Sequence, residues 1–218
     1  MRTGDNVRLR ADGRFEARYA KGRNDQGRII YGCCYGKTYD EAVSKRQEAL
    51  RKNICVREMK LLILGAGSHG HEVKELAESL HIFREIAFLD DDPAKAATLG
   101  PCKEFAQYVD RFPIAIPAVG DRAVRMRWLN ELAQAGFVLP VLIHPSAVVS
   151  PSARIGYGTV ICARAAVGSG AVVGSGCIIS SSATIDRDMV ILEGTHIPCG
   201  QAVSAKTRIN QEGVLFYG

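Results

Sequence analysis

The chain has 218 residues, 47% hydrophobic and 23% charged, which is enough apolar mass for a packed core and too much for wholesale disorder. No apolar run approaches the ~18 residues of a membrane-spanning helix, and the start Met1-Arg2-Thr3-Gly4-Asp5 lacks the apolar stretch of a secretory signal. The net charge of +5 is uneven: residues 1–57 carry 14 Lys or Arg against 7 Asp or Glu, so a basic segment precedes a nearly neutral body.

The basic segment reads as a small sheet followed by a helix. Val7 to Arg10, the turn Asp12-Gly13 and Arg14 to Ala20 form a hairpin pattern. Asn24-Asp25-Gln26-Gly27 supplies a second turn, and Arg28 to Tyr35 a third strand. Thr38 followed three residues later by Glu41 is a capping box, which predicts a helix from Tyr39 to about Lys52.

From Met59 to Leu142 strands and helices alternate, the pattern of a small parallel α/β sheet. Lys60-Leu61-Leu62-Ile63-Leu64 is a buried-strand run, and Gly65-Ala66-Gly67-Ser68-His69-Gly70 follows at once. A helix is predicted over His71 to Leu80, with Val73, Leu76, Ala77 and Leu80 on one face. Glu85 to Asp90 gives a second strand, Ile114 to Val119 a third in which Pro117 marks an edge, Asp121 to Ala135 a helix closed by Gly136, and Phe137 to Ile143 a last strand. The G-x-G-x-x-G pattern between strand and helix suits a phosphate on a helix N-terminus, and Asp90, 20 residues after Gly70, suits a ribose hydroxyl. The segment is too short for two mononucleotide halves, so a single nucleotide or nucleotide-sugar fits better than a dinucleotide.

From Ile143 every sixth residue is Ile or Val: Ile143, Val149, Ile155, Ile161, Val167, Val173, Ile179, Ile185, Ile191, Ile197, Val203 and Ile209. The position four later is mostly small, as at Ala147, Ala153, Thr159, Ala165, Ala171, Cys177 and Ala183. This is the hexapeptide signature of a parallel β-helix, three hexads to a coil, with the branched residues stacked inside. The seven cysteines are scattered and form no C-x-x-C, so reduced thiols, no zinc or other metal site and a cytoplasmic location are expected.

Three stretches carry a family resemblance: Lys60 to Gly70, Phe88-Leu89-Asp90-Asp91, and Leu142-Ile143-His144-Pro145-Ser146-Ala147. With Val119-Gly120-Asp121-Arg122 they resemble the hexapeptide acyltransferases that acetylate nucleotide-linked sugars or sialic acid. The resemblance implies an α/β domain that binds the sugar nucleotide through Gly65, Gly67, Ser68, His69 and Gly70, with Asp90 and Asp91 as acidic partners. It further implies a left-handed β-helix that assembles as a homotrimer, with acetyl-CoA as donor between neighbouring coils. The family's acid-His-acid triplet is here Asp186-Arg187-Asp188, and a guanidinium stays protonated, so Arg187 cannot serve as base. His196 is then the candidate catalytic histidine, with Asp186 and Asp188 as the acids at the family's position. The chain stops soon after the twelfth hexad, so an incomplete cofactor groove is also expected.

Residues 1 to about 55 resemble the arm-type DNA-binding module of tyrosine integrases, on Val7 to Tyr19, Gly27 to Tyr31 and Tyr35 to Ala42. That resemblance implies a sheet face offering Arg8, Arg10, Arg14, Arg18 and Arg28 to DNA, with Tyr19 and Tyr31 interleaved. The sequence thus predicts three units: a basic sheet-plus-helix module over 1–57, an α/β domain over 58–142 and a β-helix over 143–218. Its two functional expectations are a sugar acetyltransferase slowed by Arg187 and an inactive sugar-nucleotide-binding regulator that binds DNA.

Overall fold

The structure is a computed structural model, and it describes residues 7–23, 29–53, 59–95, 97–204, 207–209 and 215–217. The predicted turn at Asn24 to Gly27 and Arg28 lie outside the described residues.

Strands β1 (Val7–Leu9), β2 (Phe15–Arg23) and β3 (Ile29–Gly36) form an antiparallel sheet in that order. Gly13, at φ 76°, makes the turn between β1 and β2 in a conformation that suits glycine. Val7 pairs with Ala17 and Ala17 with Cys34, and this face packs on helix α1 (Tyr39–Asn53) through Ala42 and Val43. The helix starts as the sequence predicts, with Thr38 Oγ1 accepting the Glu41 N–H at 3.1 Å. The return bond differs by one residue: Glu41 Oε2 accepts from the N–H of Lys37 at 2.6 Å rather than from that of Thr38.

Helix α1 does more than back the small sheet. Arg46 and Gln47, each only 1% exposed, reach into the body of the protein. Arg46 Nη1 donates to the carbonyl of Ala133 at 2.7 Å. Gln47 donates to the Phe137 carbonyl and accepts from the Leu139 N–H, both at 2.9 Å, and Arg51 Nη2 donates to the Leu139 carbonyl at 2.7 Å. A helix ends in carbonyls without intrahelical donors and a partial negative charge, so a guanidinium there is favourable. Arg46 and Arg51 of α1 therefore serve docking, while Lys45 and Lys52 pair with Glu41 and Glu48 on its exposed side, a division that composition alone could not reveal.

The parallel sheet has β4 (Lys60–Leu64) at its centre, flanked by β5 (Glu85–Leu89) and β6 (Ile114–Pro117). Leu61 to Leu64 are fully buried, because helices α2 (Ser68–Ser79) and α3 (Arg122–Ala135) cover the sheet. Pro117 ends β6, which pairs with β4 on one side. Asp121 Oδ1 caps α3 by accepting the Val124 N–H at 2.8 Å, and Gly136 closes it at φ 104°. The strand expected over Phe137 to Ile143 is broken: Val138 makes one bridge to Ile114, and pairing resumes only at Leu142–Ile143. Pro140 between them has no N–H for a ladder.

The hexads form a parallel β-helix. Its first coil holds β7 (Leu142–Ile143), β8 (Val148–Val149) and β9 (Arg154–Ile155), its second β10 (Val160–Ile161), β11 (Ala166–Val167) and β12 (Val172–Val173). The third holds β13 (Ile178–Ile179), β14 (Thr184–Ile185) and β15 (Val190–Ile191), and β16 (His196–Ile197) and β17 (Ala202–Val203) begin a fourth. Ile143, Ile161, Ile179 and Ile197 pair in register one coil apart, as do Val149, Val167, Ile185 and Val203. From Ile161 to Val203 these branched side chains are buried in one core, as the period predicts. The twelfth position departs: Ile209 lies in β18 (Thr207–Ile209), which pairs antiparallel with β19 (Leu215–Tyr217).

Every sixth residue from 158 to 200 has positive φ: Gly158, Arg164, Gly170, Gly176, Ser182, Asp188, Gly194 and Gly200. Gly158, Gly176 and Gly194 stack in one corner column, and α3 packs on it. A Cβ on Gly176 would stand 2.8 Å from Met126 Sδ, and one on Gly194 2.9 Å from Met126 Cγ. Arg164 and Ser182 occupy a different column. Above the glycine column Arg125, 1% exposed, joins the two domains. Its guanidinium donates to the carbonyls of Val119 (2.8 Å), Gly120 (2.7 Å), Gly176 (2.9 Å) and Gly194 (2.7 Å).

Candidate functional site

The glycine loop turns the chain from β4 into α2. Gly65 has φ 106°, and a Cβ there would stand 2.8 Å from the Ala118 carbonyl. Gly70 sits against the carbonyl of Gly65 with no room for a side chain. Gly67 is different: it is the N-cap of α2, and nothing lies within 4 Å of where its Cβ would be. No side chain caps this helix start, next to Ser68, so its N–H groups are left for an anion.

Asp90 and Asp91 shape this loop. Asp90 Oδ2 accepts the Ala66 N–H at 2.6 Å and Oδ1 the Asp92 N–H at 2.9 Å, and Asp91 Oδ1 accepts the Cys102 N–H at 2.8 Å. Burial pushes the Asp90 carboxyl up, but the two amides and Lys95 outweigh it and hold it below its ordinary range. The acid read from the sequence as a ribose ligand thus has both oxygens on backbone amides and fixes the height of the glycine loop.

The start of α2 meets the β-helix face formed by β7, β10, β13 and β16. There Leu142, Val160 and Cys162 share a core with Val73 and Leu76. His69 Nδ1 lies 3.2 Å from Glu72 Oε2, and its Nε2 is buried with no hydrogen-bond partner. On the β-helix side, His196 Nε2 lies 2.9 Å from Ser180 Oγ. Burial lowers the pKa of both imidazoles; Glu72 works against this at His69, while Arg125 and His69 add to it at His196. Both rings are therefore neutral near pH 7. Burial and neighbouring Glu72 push the Cys162 thiol up to about 12, so it stays protonated and inert.

His196 lies within electrostatic reach of His69 and Glu72 but not beside the expected acidic pair. Asp186, Arg187 and Asp188 form the exposed corner between β14 and β15, away from the face that carries His196. Asp186 Oδ1 accepts the N–H of Arg187 at 2.8 Å, and Asp188 takes positive φ. These acids do not orient His196; Ser180 is its neighbour. Sequence reading missed Glu72, Ser180 and Arg125. Glu72 was within reach, being three residues after His69 on a helix. Ser180 needed the coil register, which pairs His196 with Ile178. At the entry to the coils His144 Nδ1 accepts the Ser146 N–H at 3.1 Å.

The basic sheet presents Arg8 and Arg18 on its open face beside Tyr31 and Tyr35, with Arg10 at the end of β1. Glu16 sits among them, 5% exposed, paired with Arg8 at 2.9 Å and Arg10 at 2.7 Å, while Asp12 holds Arg14 at 2.9 Å. The Arg18 guanidinium lies 3.9 Å from the Tyr31 ring centre. Tyr19, expected on this face, pairs with Gly32 on the other. Alternation along a strand sends it there.

Residues 60–132 match the family described as PglD N-terminal domain. Over 108 residues the chain is 37% identical to the UDP-N-acetylbacillosamine N-acetyltransferase of Bacillus subtilis (strain 168), a match covering 46% of this chain and 50% of that protein. The chain thus spans about half the length of this curated relative. The acetyltransferase domain of PglB from Neisseria gonorrhoeae FA1090 shares 38% identity and a TM-score of 0.63, over 71% of this chain and 78% of that one. The same domain in complex with acetyl coenzyme A gives 39% and 0.64 over the same shares, 71% and 78%. A mutant of GDP-perosamine N-acetyl transferase from Caulobacter crescentus, in complex with CoA and GDP-perosamine, shares the fold at 22% identity and a TM-score of 0.54, over 66% of this chain and 88% of that one. With its glycine loop, its hexapeptide coils and this match to the PglB domain, the chain belongs to the sugar N-acetyltransferase family.

Proposed function

We propose that this chain transfers acetyl from acetyl-CoA to the amino group of a nucleotide-linked sugar, a UDP-linked one by its likeness to the Bacillus subtilis relative. One observation carries the reading: the uncapped helix start at Gly67 and the histidine pair His69 and His196 lie on the same side of the α/β domain, against the β-helix. The nucleotide then rests on Gly65, Gly67, Ser68, His69 and Gly70, and the sugar extends towards His196. In the reaction the amine nitrogen attacks the thioester carbonyl, the carbon–sulfur bond breaks, and coenzyme A leaves as thiol. The proton lost by nitrogen needs a neutral acceptor, and of the two neutral imidazoles His196 is the one towards which the sugar extends, His69 standing on the nucleotide loop. The test is acetyl-CoA turnover on a panel of UDP-linked amino sugars. Loss of turnover in His196→Ala supports the assignment, and turnover that survives it sinks His196 as the base.

We further infer a left-handed β-helix, a homotrimer and a cytoplasmic location. Supporting the trimer, the faces not covered by the α/β domain expose Val148 (71%) and Val190 (59%), with Leu192 close by. A trimer would also bring a neighbour's Asp186-Arg187-Asp188 corner within reach of a site. Light scattering that gives a monomer at micromolar concentration would overturn it.

A second reading, a DNA-binding regulator, is supported by Arg8, Arg10, Arg14 and Arg18 on the small sheet. Glu16 and Asp12 weaken it, since three of these arginines already have carboxylate partners. Duplex binding by the full chain that falls steeply with salt and improves in Glu16→Gln supports it; no binding at low salt removes it.

A further inference from the structure

The site leaves one cation without a role. Lys95 follows β5 at the carboxyl end of the parallel sheet, the edge on which open α/β sheets take their ligands. Its Nζ reaches back to the carbonyl of Ala66 in the glycine loop at 3.2 Å, its one hydrogen bond among the described residues. An ammonium has three donors, so two remain. The nearby anion is Asp90, whose oxygens accept the backbone N–H groups of Ala66 and Asp92 and which forms no ion pair with Lys95 among the described residues. Lys95 is thus held over the loop as a positive charge with unused donors. The residue after Ala66 is Gly67, with open space where its Cβ would be.

We propose that Lys95 is a specificity residue that recognises the diphosphate of the nucleotide-linked sugar. The inference rests on the reading above that a nucleotide lies on this loop. The start of α2 offers N–H groups to one phosphate. A diphosphate carries a further charge, which Lys95 meets as a mobile point charge. Asp90 then acts through Lys95 and the loop, as a positioning residue, without touching the ligand.

The test is calorimetric titration of the full chain with UDP, GDP, UMP and uridine, for wild type, Lys95→Gln and Lys95→Arg. One charge-assisted hydrogen bond lost should weaken UDP by about tenfold or more in Lys95→Gln while UMP and uridine change by less than about threefold. Lys95→Arg should keep most of the UDP affinity, and raising the salt should weaken UDP less in Lys95→Gln than in wild type. Equal losses for UDP and UMP would make Lys95 only a brace for Ala66 and overturn the proposal, as would unchanged UDP binding. A wild-type chain that binds neither UDP nor GDP removes the nucleotide reading itself, and the role of Lys95 with it.

Discussion

Arg125 on α3 donates through Nη2 to the carbonyl of Gly194 at 2.7 Å, across the seam between the α/β domain and the β-helix. The same guanidinium reaches Gly176 one coil below and the Val119–Gly120 turn, so one buried cation fixes the helix start of α3 to two successive corners. The relative placement of the glycine loop and His196 depends on this seam.

Arg125→Met fills much of the same volume but removes every donor. Buried carbonyls left without partners should destabilise the chain by about 3 kcal/mol or more. Urea unfolding followed by Trp128 fluorescence measures it, and a loss below ~1 kcal/mol would mean that water replaces the guanidinium at little cost.

Acid should weaken the fold through the histidine pair. Burial lowers the pKa of both His69 and His196. A histidine with a depressed native pKa binds fewer protons folded than unfolded, so its contribution is complete above the unfolded value of about 6.5 and is lost as pH falls through the native value. The urea midpoint should therefore hold above pH 7 and drop below about 6.5, and His69→Gln should flatten the drop. A midpoint independent of pH between 7 and 5 contradicts the burial of these rings.

The corner glycines separate conformation from packing. Gly176 and Ser182 have nearly the same backbone, φ 67° and 61°, in different columns. Gly176→Ala must place a methyl against Met126 and Leu129 as well as accept the left-handed conformation. Ser182→Ala keeps a Cβ that is already there. The first should lower the melting temperature clearly, by the ~1–3 kcal/mol of an overpacked site, and the second by little. Equal effects would show that α3 does not press on this column.

The same column explains what was legible in the sequence. The six-residue period of Ile and Val could be read directly, because each inward position needs a branched aliphatic and nothing else. The glycine loop was equally plain, but its helix begins at Ser68, three residues before the apolar spacing marks it, because Ser68, His69 and Gly70 carry no apolar stripe. What the order of residues hid was contact between distant segments. Arg46 and Gln47 look like any solvated helix positions until α3 and Phe137 are placed against them. Glu16 reads as one acid among many arginines until the register sets it between Arg8 and Arg10. His196 and Asp186 are ten residues apart, yet a three-sided coil turns them to different faces. Ile209 keeps the period but sits in an antiparallel pair, since a branched residue serves either strand equally well.

The last prediction concerns Arg187. In the proposed reaction the amine must lose a proton as it attacks, and a positioned base contributes about 10²–10⁴-fold. The guanidinium of Arg187 cannot accept that proton, and His196 has Ser180 beside it rather than a carboxylate. Acetyl transfer should therefore be slow. Arg187→His should raise kcat by about tenfold or more, because Asp186 and Asp188 flank the new imidazole and can orient it. Position 187 is exposed and Asp188 already supplies the left-handed corner, so the change should not disturb the fold. A rise in kcat with KM unchanged places the base at this corner and makes the site one shared between protomers. No rise, together with loss of turnover in His196→Ala, leaves His196 as the base. A wild type already as fast as its Arg187→His variant shows that no base is missing.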